Sequence, residues 1–202
     1  METGLKNRAV IVAASSQGMG RATAEAFAAE GARVAMCARN QKTLEAAAGE
    51  IRAKHKAEVF AQTLDVTDGE AVQRFVEAVA AKFGRIEVCV TNAGGPPAKN
   101  FLSLTPEEWR NAVELNFLSV VSFARAVIPY MQKNQWGRLI TITSVSVKQP
   151  IADLVLSNAA RASSRPSPPS SEAWTSASPT PAGLRPRTSS RSRPRSGTRR
   201  WS

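Results

Sequence analysis

The stretch RAVIVAASSQGMGRATAEAFAAEGA, residues 8–32, decides the fold. Its opening (8–15) is a continuous apolar run that ends in small residues, the pattern of a strand buried on both faces. From Met19 the apolar residues recur at helical spacing, and Gly31 is placed to close the helix. Ser15, Ser16, Gln17, Gly18, Met19 and Gly20 join the two. A strand that passes to a helix through so short and small a turn is a βα unit.

The alternation repeats down the chain. RVAMCAR (33–39) and AEVFAQTLDV (57–66) read as strands, and QKTLEAAAGEIRAKHK (41–56) and DGEAVQRFVEAVAAKFG (68–84) as helices. RIEVCVTNAGG (85–95) runs from strand into a glycine turn. A long helix over 105–134 is signalled by Thr105 as N-cap, Pro106 at its first position and Glu108 completing a capping box. WGRLITITSVS (136–146) is a fifth strand. Repeated βα units with apolar strands predict an α/β fold, a Rossmann-type doubly wound parallel sheet of about five strands covered by helices on both faces. Such a sheet binds ligands beyond the carboxyl ends of its strands, so the chemistry belongs in the loops that follow them.

Two of those loops carry a signal. In AASSQGMGRA, small residues let the backbone approach a pyrophosphate, and the N–H groups of the helix terminus bind it. Two spaced glycines alone also suit a plain tight turn; the strand before and helix after favour a dinucleotide. At the end of the second strand, a site selecting NAD places an acid for the ribose 2′-hydroxyl. Here Ala38 is neutral and Arg39 follows, which suits a 2′-phosphate and favours NADP over NAD. A solvated arginine at a strand end is the alternative.

With these residues in view, the chain resembles the short-chain dehydrogenase/reductase family. AASSQGMG is similar to its TGxxxGxG loop, with Ala13 and Ala14 in place of Thr and the first Gly. TLDVT resembles the third-strand motif, in which Asp65, followed by Val66, contacts the adenine. TNAGG resembles NNAG, so Asn92, Ala93 and Gly94 shape the cofactor site. ELNFLS resembles the segment bearing the proton-relay asparagine, here Asn116, and GRLITITSVS puts the substrate-orienting serine at Ser144. Singly, each has an ordinary reading: Asp65 as a helix-capping acid, Asn116 as a buried asparagine satisfied by backbone, Ser144 as one hydroxyl among several. The resemblance covers residues 5 to about 161 and implies an oxidoreductase acting on a carbonyl or secondary alcohol, of the 3-oxoacyl reductase kind.

The resemblance then departs. The family's catalytic Tyr and Lys, four residues apart on one helix face, correspond to Ser157 and Arg161 in SNAAR. The phenol moves a proton to the substrate oxygen and the lysine holds the nicotinamide ribose. An alkyl hydroxyl is a far weaker acid than a phenol of pKa about 10. Arg161 is suited to bind ribose hydroxyls, but it does not deprotonate. Tyr130, the only tyrosine, falls near the end of the long helix, and His55, the only histidine, at the end of the second and exposed; neither stands in. A protein that binds nucleotide without turnover is therefore the rival reading.

Past Arg161 the composition changes. Residues 162–202 contain seven prolines, twelve serines, eight arginines and a single acid, Glu172, so +7 of the net charge of +11 lies there. The expected organisation is a dinucleotide-binding domain over 1–161 and a disordered tail over 162–202. Three readings of the tail stay open: a solvated linker, an arginine-rich nucleic-acid contact, or an out-of-frame reading of a GC-rich gene. The last is favoured, since shifted GC-rich codons yield Arg, Pro, Ser, Ala and Thr, and Ala177-Ser178-Pro179 is what one spelling of Gly-Val-Thr gives when read one base late. Nucleic acid is disfavoured, because only Trp174 and Trp201 interleave the arginines. Cys37 and Cys89 sit in apolar runs and read as buried free thiols, and no metal-ligand spacing occurs. No run of membrane-spanning length is apparent and no signal peptide is recognised, so the expected setting is cytoplasmic. The expected partner is a small-molecule carbonyl or alcohol, with the family's homo-oligomer possible but compromised by the truncated C-terminal half.

Overall fold

The computed structural model describes residues 3–163. Five strands form one parallel sheet: β1 (Ala9–Val12), β2 (Arg33–Ala38), β3 (Val59–Thr63), β4 (Val88–Thr91) and β5 (Arg138–Thr141), in the spatial order β3-β2-β1-β4-β5. The crossovers are α1 (Gly18–Ala29), α2 (Gln41–His55), α3 (Gly69–Phe83), and α4 (Pro106–Val113) continuing into α5 (Ser119–Lys133). A sixth helix, α6 (Val155–Ser163), follows β5. The order reverses at β1, which is flanked by β2 and β4. The expected doubly wound sheet is the one observed.

Period-two alternation sorts each strand between two cores. Val10 and Val12 of β1 face α1 and α2 with Val34, Met36, Leu44 and Ile51. Ile11 faces the other way, with Phe75, Val76, Val79, Phe123 and Val127 of α3 and α5. Phe75 holds that second layer together, stacked on Phe60 at 6.1 Å and edge-on to Phe123 at 6.5 Å between ring centres. A small third cluster, Ala112, Leu156 and Ala160, seats α6 on α4.

The helix termini follow their residues. Asn40 and Asp68 cap α2 and α3 through Thr43 and Ala71 N–H, Gly84 closes α3, and Thr105 with Glu108 forms the capping box. Four readings need correction. The helix expected over 105–134 contains a π turn at Glu114–Leu118, a break in hydrogen-bond register that side-chain periodicity does not display. The fifth strand is four residues long and passes into a 3₁₀ turn at Val145–Val147, because Ser144 accepts the Ser146 N–H and turns the chain. His55 is half-buried, its Nε2 3.3 Å from Glu25 Oε1, since the end of α2 lies beside α1. Finally, the continuous helix Pro106–Lys133 is long and apolar enough to cross a membrane by length and composition. Its inner residues Phe123, Ala126, Val127 and Met131 are nevertheless part of the core beside α3. The predicted tail lies outside the described residues except for Ala162 and Ser163, which complete α6.

Candidate functional site

A cleft of about 530 Å³ opens over the carboxyl ends of β1, β2, β3 and β4, at the point where the strand order reverses. Its floor is the turn between β1 and α1. Ala14 has φ +46° and Gly18 φ +57°, so both occupy the left-handed region. Ser15 is fully buried, its N–H donating to Cys37 O at 3.0 Å and its hydroxyl to Val12 O at 2.8 Å. Those bonds tie the turn to β1 and β2. Gly20 lies where α1 crosses the turn: a Cβ there would stand 2.4 Å from Ala14 O and 2.8 Å from Asn92 Nδ2. Asn92 Nδ2 donates to that same Ala14 O at 3.3 Å. The glycine therefore permits a three-way contact among β1, β4 and α1.

The opening of α1 is uncapped. Gln17 is extended, makes no side-chain cap, and no acid stands in the first turn. The first N–H groups of a helix have no intrahelical acceptor, and with Ser16, Gln17, Gly18 and Met19 they line the cleft. That donor set and dipole sign are those a phosphate requires. Exposed Arg39 forms the wall at the β2 side and Asn92, Ala93 and Gly94 the wall at the β4 side. Among the described residues, the charged ones lining the cleft are Arg39 and Arg161, both cationic, a charge balance that favours an anion.

The remaining candidates are spread more widely. Val66 lines the cleft; Asp65 does not, and its Oδ1 accepts from the N–H and hydroxyl of Thr67. Asn116 sits on the π turn, 4% exposed, with Nδ2 donating to Ala112 O. Its Oδ1 has no hydrogen-bond partner among the described residues, and Asn116 lines a void of about 10 Å³ with Thr91, Thr141 and Arg161. That volume is at the lower limit for one water. Ser144 caps the 3₁₀ turn and Ser157 is buried on α6, and neither lines the cleft. Arg161 is buried on the same helix, and its Nη2 donates to Gly94 O at 3.2 Å and Ala93 O at 3.4 Å. Burial pulls its guanidinium below the usual arginine value, although arginine remains charged in proteins. Both cysteines are buried and free, and desolvation pushes the Cys37 thiol up to about 12 and Cys89 higher still. Tyr130 packs beside the α3–α5 core.

Several lining residues escaped the reading of the sequence. Asn40 and Thr43 flank Arg39, and their signal was present as a helix-capping pair. Leu64, Leu115 and Gly95 lay inside the quoted TLDVT, ELNFLS and TNAGG stretches, but an apolar residue or a second glycine carries no chemistry that singles it out until the chain is folded.

Fold and cleft together define an α/β protein of the Rossmann type. The chain belongs to the short chain dehydrogenase family, whose model matches residues 8–164. Among its relatives, 3-oxoacyl-(acyl-carrier-protein) reductase FabG of Escherichia coli (strain K12) is 34% identical over 140 residues, 69% of this chain and 56% of that protein. The chain thus spans about half the length of the curated relatives it matches. L-Sorbose reductase from Gluconobacter frateurii, solved with NADPH and L-sorbose, superposes with a TM-score of 0.79 at 30% identity, over 81% of this chain and 62% of its own. Alcohol dehydrogenase from Thermococcus sibiricus, solved with 5-hydroxy-NADP, gives 0.74 at 28% identity over 79% and 67%.

Proposed function

We propose that this chain is an NADP(H)-dependent oxidoreductase acting on a carbonyl or secondary alcohol. One observation carries the reading: an acid-free cleft at the strand-order reversal, with an uncapped helix terminus as its floor and Arg39 beside it. The residues present fit the cofactor. The first amides of α1 would hold the pyrophosphate, Arg39 the 2′-phosphate, Asn92–Gly94 the nicotinamide side and Val66 the adenine side, whereas Asp65 stands outside the lining. Bound there, the nicotinamide supplies or accepts hydride. Ser144 would donate its hydroxyl hydrogen to the substrate oxygen, since its oxygen already accepts from Ser146. Asn116 supports proton movement through its unpartnered Oδ1, and Ser157 and Arg161 occupy the general-acid and ribose-holding positions. The relatives solved with NADPH or an NADP analogue support the cofactor, and the relation to FabG supports a small carbonyl substrate.

A second reading is favoured by Ser157: binding of the dinucleotide without turnover. An alkyl hydroxyl is a poor acid at neutral pH, and Ser157 is buried away from the cleft lining. Fluorescence titration with NADPH and a panel of carbonyl substrates separates the two. Turnover that falls on Ser144→Ala supports the enzyme. Saturable binding with no turnover supports the second reading, and no binding of either pyridine nucleotide by folded protein overturns both.

A further inference from the structure

Arg161 reaches the β4 exit from a helix 67 and 68 residues away in sequence. The segment it meets has no regular secondary structure: Asn92 to Pro97 is neither helix nor strand, and Gly94 and Gly95 are exposed. Two adjacent glycines lose more conformational freedom on ordering than other residues, so a loop of this kind holds its shape only through outside contacts. Asn92 is tied to Ala14 O, and Ala93 and Gly94 offer their carbonyls to the Arg161 Nη2. The donor is well placed to stay there, because α6 is seated through Leu156 and Ala160 on Ala112 of α4. A guanidinium is planar and weakly hydrated, which suits a buried bond to main-chain oxygens better than a lysine ammonium.

The wall so held is one half of the cleft. Arg39 stands at the β2 side of β1 and the Asn92–Gly95 loop at the β4 side. A ligand lying across the tip of β1 therefore meets the two walls with different ends of its length. Building on the dinucleotide reading above, we infer that Arg161, beyond the ribose-holding position given to it there, braces the β4-side wall. Through the carbonyls of Ala93 and Gly94 it sets the affinity for the whole dinucleotide without affecting the adenosine half.

The test compares two ligands on the full chain. NADPH spans both walls, whereas 2′,5′-ADP carries only the adenosine diphosphate portion that Arg39 and the α1 turn would hold. Calorimetric titration of wild type, Arg161→Met and Arg161→Lys is paired with amide hydrogen exchange over 92–95 in the free proteins. Arg161→Met should weaken NADPH about tenfold, the effect expected for losing hydrogen bonds to a charged group, and leave 2′,5′-ADP within about twofold. Arg161→Lys should fall between, and exchange over the loop should quicken in the order wild type, Lys, Met. Unchanged NADPH affinity in Arg161→Met overturns the brace, as does an equal loss of both ligands or unchanged loop exchange. If Arg161→Met does not fold, Arg161→Lys decides by the same two-ligand split. Wild type that binds neither ligand sinks the dinucleotide reading instead, while the exchange comparison still judges the brace.

Discussion

The tip of β1 and the stretch from β5 to α6 belong to one domain but are built differently. β1 is buried at every residue, and its exit turn is locked by Ser15, Gly20 and Asn92 acting on Val12, Cys37 and Ala14. β5 pairs, among the described residues, only with β4; Leu139 and Ile140 are 40% and 45% exposed. The first region brings an uncapped helix terminus and Arg39 to one cleft. At the second, the expected general-acid and ribose-holding positions fall on a buried serine, Ser157, and a buried arginine, Arg161. Binding geometry can thus be complete where chemistry is not, because amide donors are available to almost any sequence that makes the turn, whereas an acid of suitable pKa depends on one side chain.

Five measurements would break or sharpen that contrast. The largest effect is expected from Ser157→Tyr. If the β5–α6 side lacks only a proton donor, carbonyl reduction should rise by about a hundredfold, the scale of general acid catalysis; unchanged turnover would place the deficit elsewhere. Gly20→Ala acts on the intact side. Its Cβ falls 2.4 Å from Ala14 O, and the overpacking should cost about 1–3 kcal/mol of stability in chemical denaturation. Arg39→Ala should reduce NADPH affinity by about tenfold while NADH changes by less than about twofold; equal losses would remove the 2′-phosphate assignment.

Glu87 gives a pH-dependent control outside the cleft. Burial raises its pKa, but the Ala9 N–H and the Arg8 and Arg85 guanidiniums more than offset this, and the carboxyl sits below the usual range. A carboxylate depressed in the folded state contributes in full above its unfolded pKa of about 4.3. That contribution is lost as pH falls through the folded value. Wild type should therefore lose stability on acidification below about pH 4, and Glu87→Gln should be flatter there and about 1–2 kcal/mol less stable at pH 7 by chemical denaturation. The smallest effect belongs to Ala14→Gly. Ala14 holds φ +46°, a left-handed conformation costing a non-glycine residue about 1 kcal/mol. Glycine removes that strain but adds unfolded-chain entropy, for a net gain of roughly 0.5 kcal/mol in thermal denaturation; a loss would show that the Ala14 methyl is needed for packing.

The intact side was the more legible one. Val10, Ile11 and Val12 announced a strand, Gly18 and Gly20 a turn, and Arg39 an anion, each within a few residues of its neighbours. Asp65 was less transparent: its motif is present, but Thr67 takes its carboxylate and Leu64 and Val66 line the cleft. Asn116 was found by motif, yet the π turn that buries it was invisible, since shifting a hydrogen-bond register leaves the apolar spacing nearly unchanged.

By itself the sequence determined the alternation of strands and helices, the parallel sheet, the glycine turn and the cation beside it. Those features arise from periodicity and backbone preference, which act over a few residues and need no partner. Only the tertiary structure decided that Gly20 and Asn92 converge on one carbonyl, that Asp65 faces Thr67, and that Arg161 reaches Ala93 and Gly94. Such contacts join residues tens of positions apart, and no local preference encodes a distance that the packing of whole elements creates.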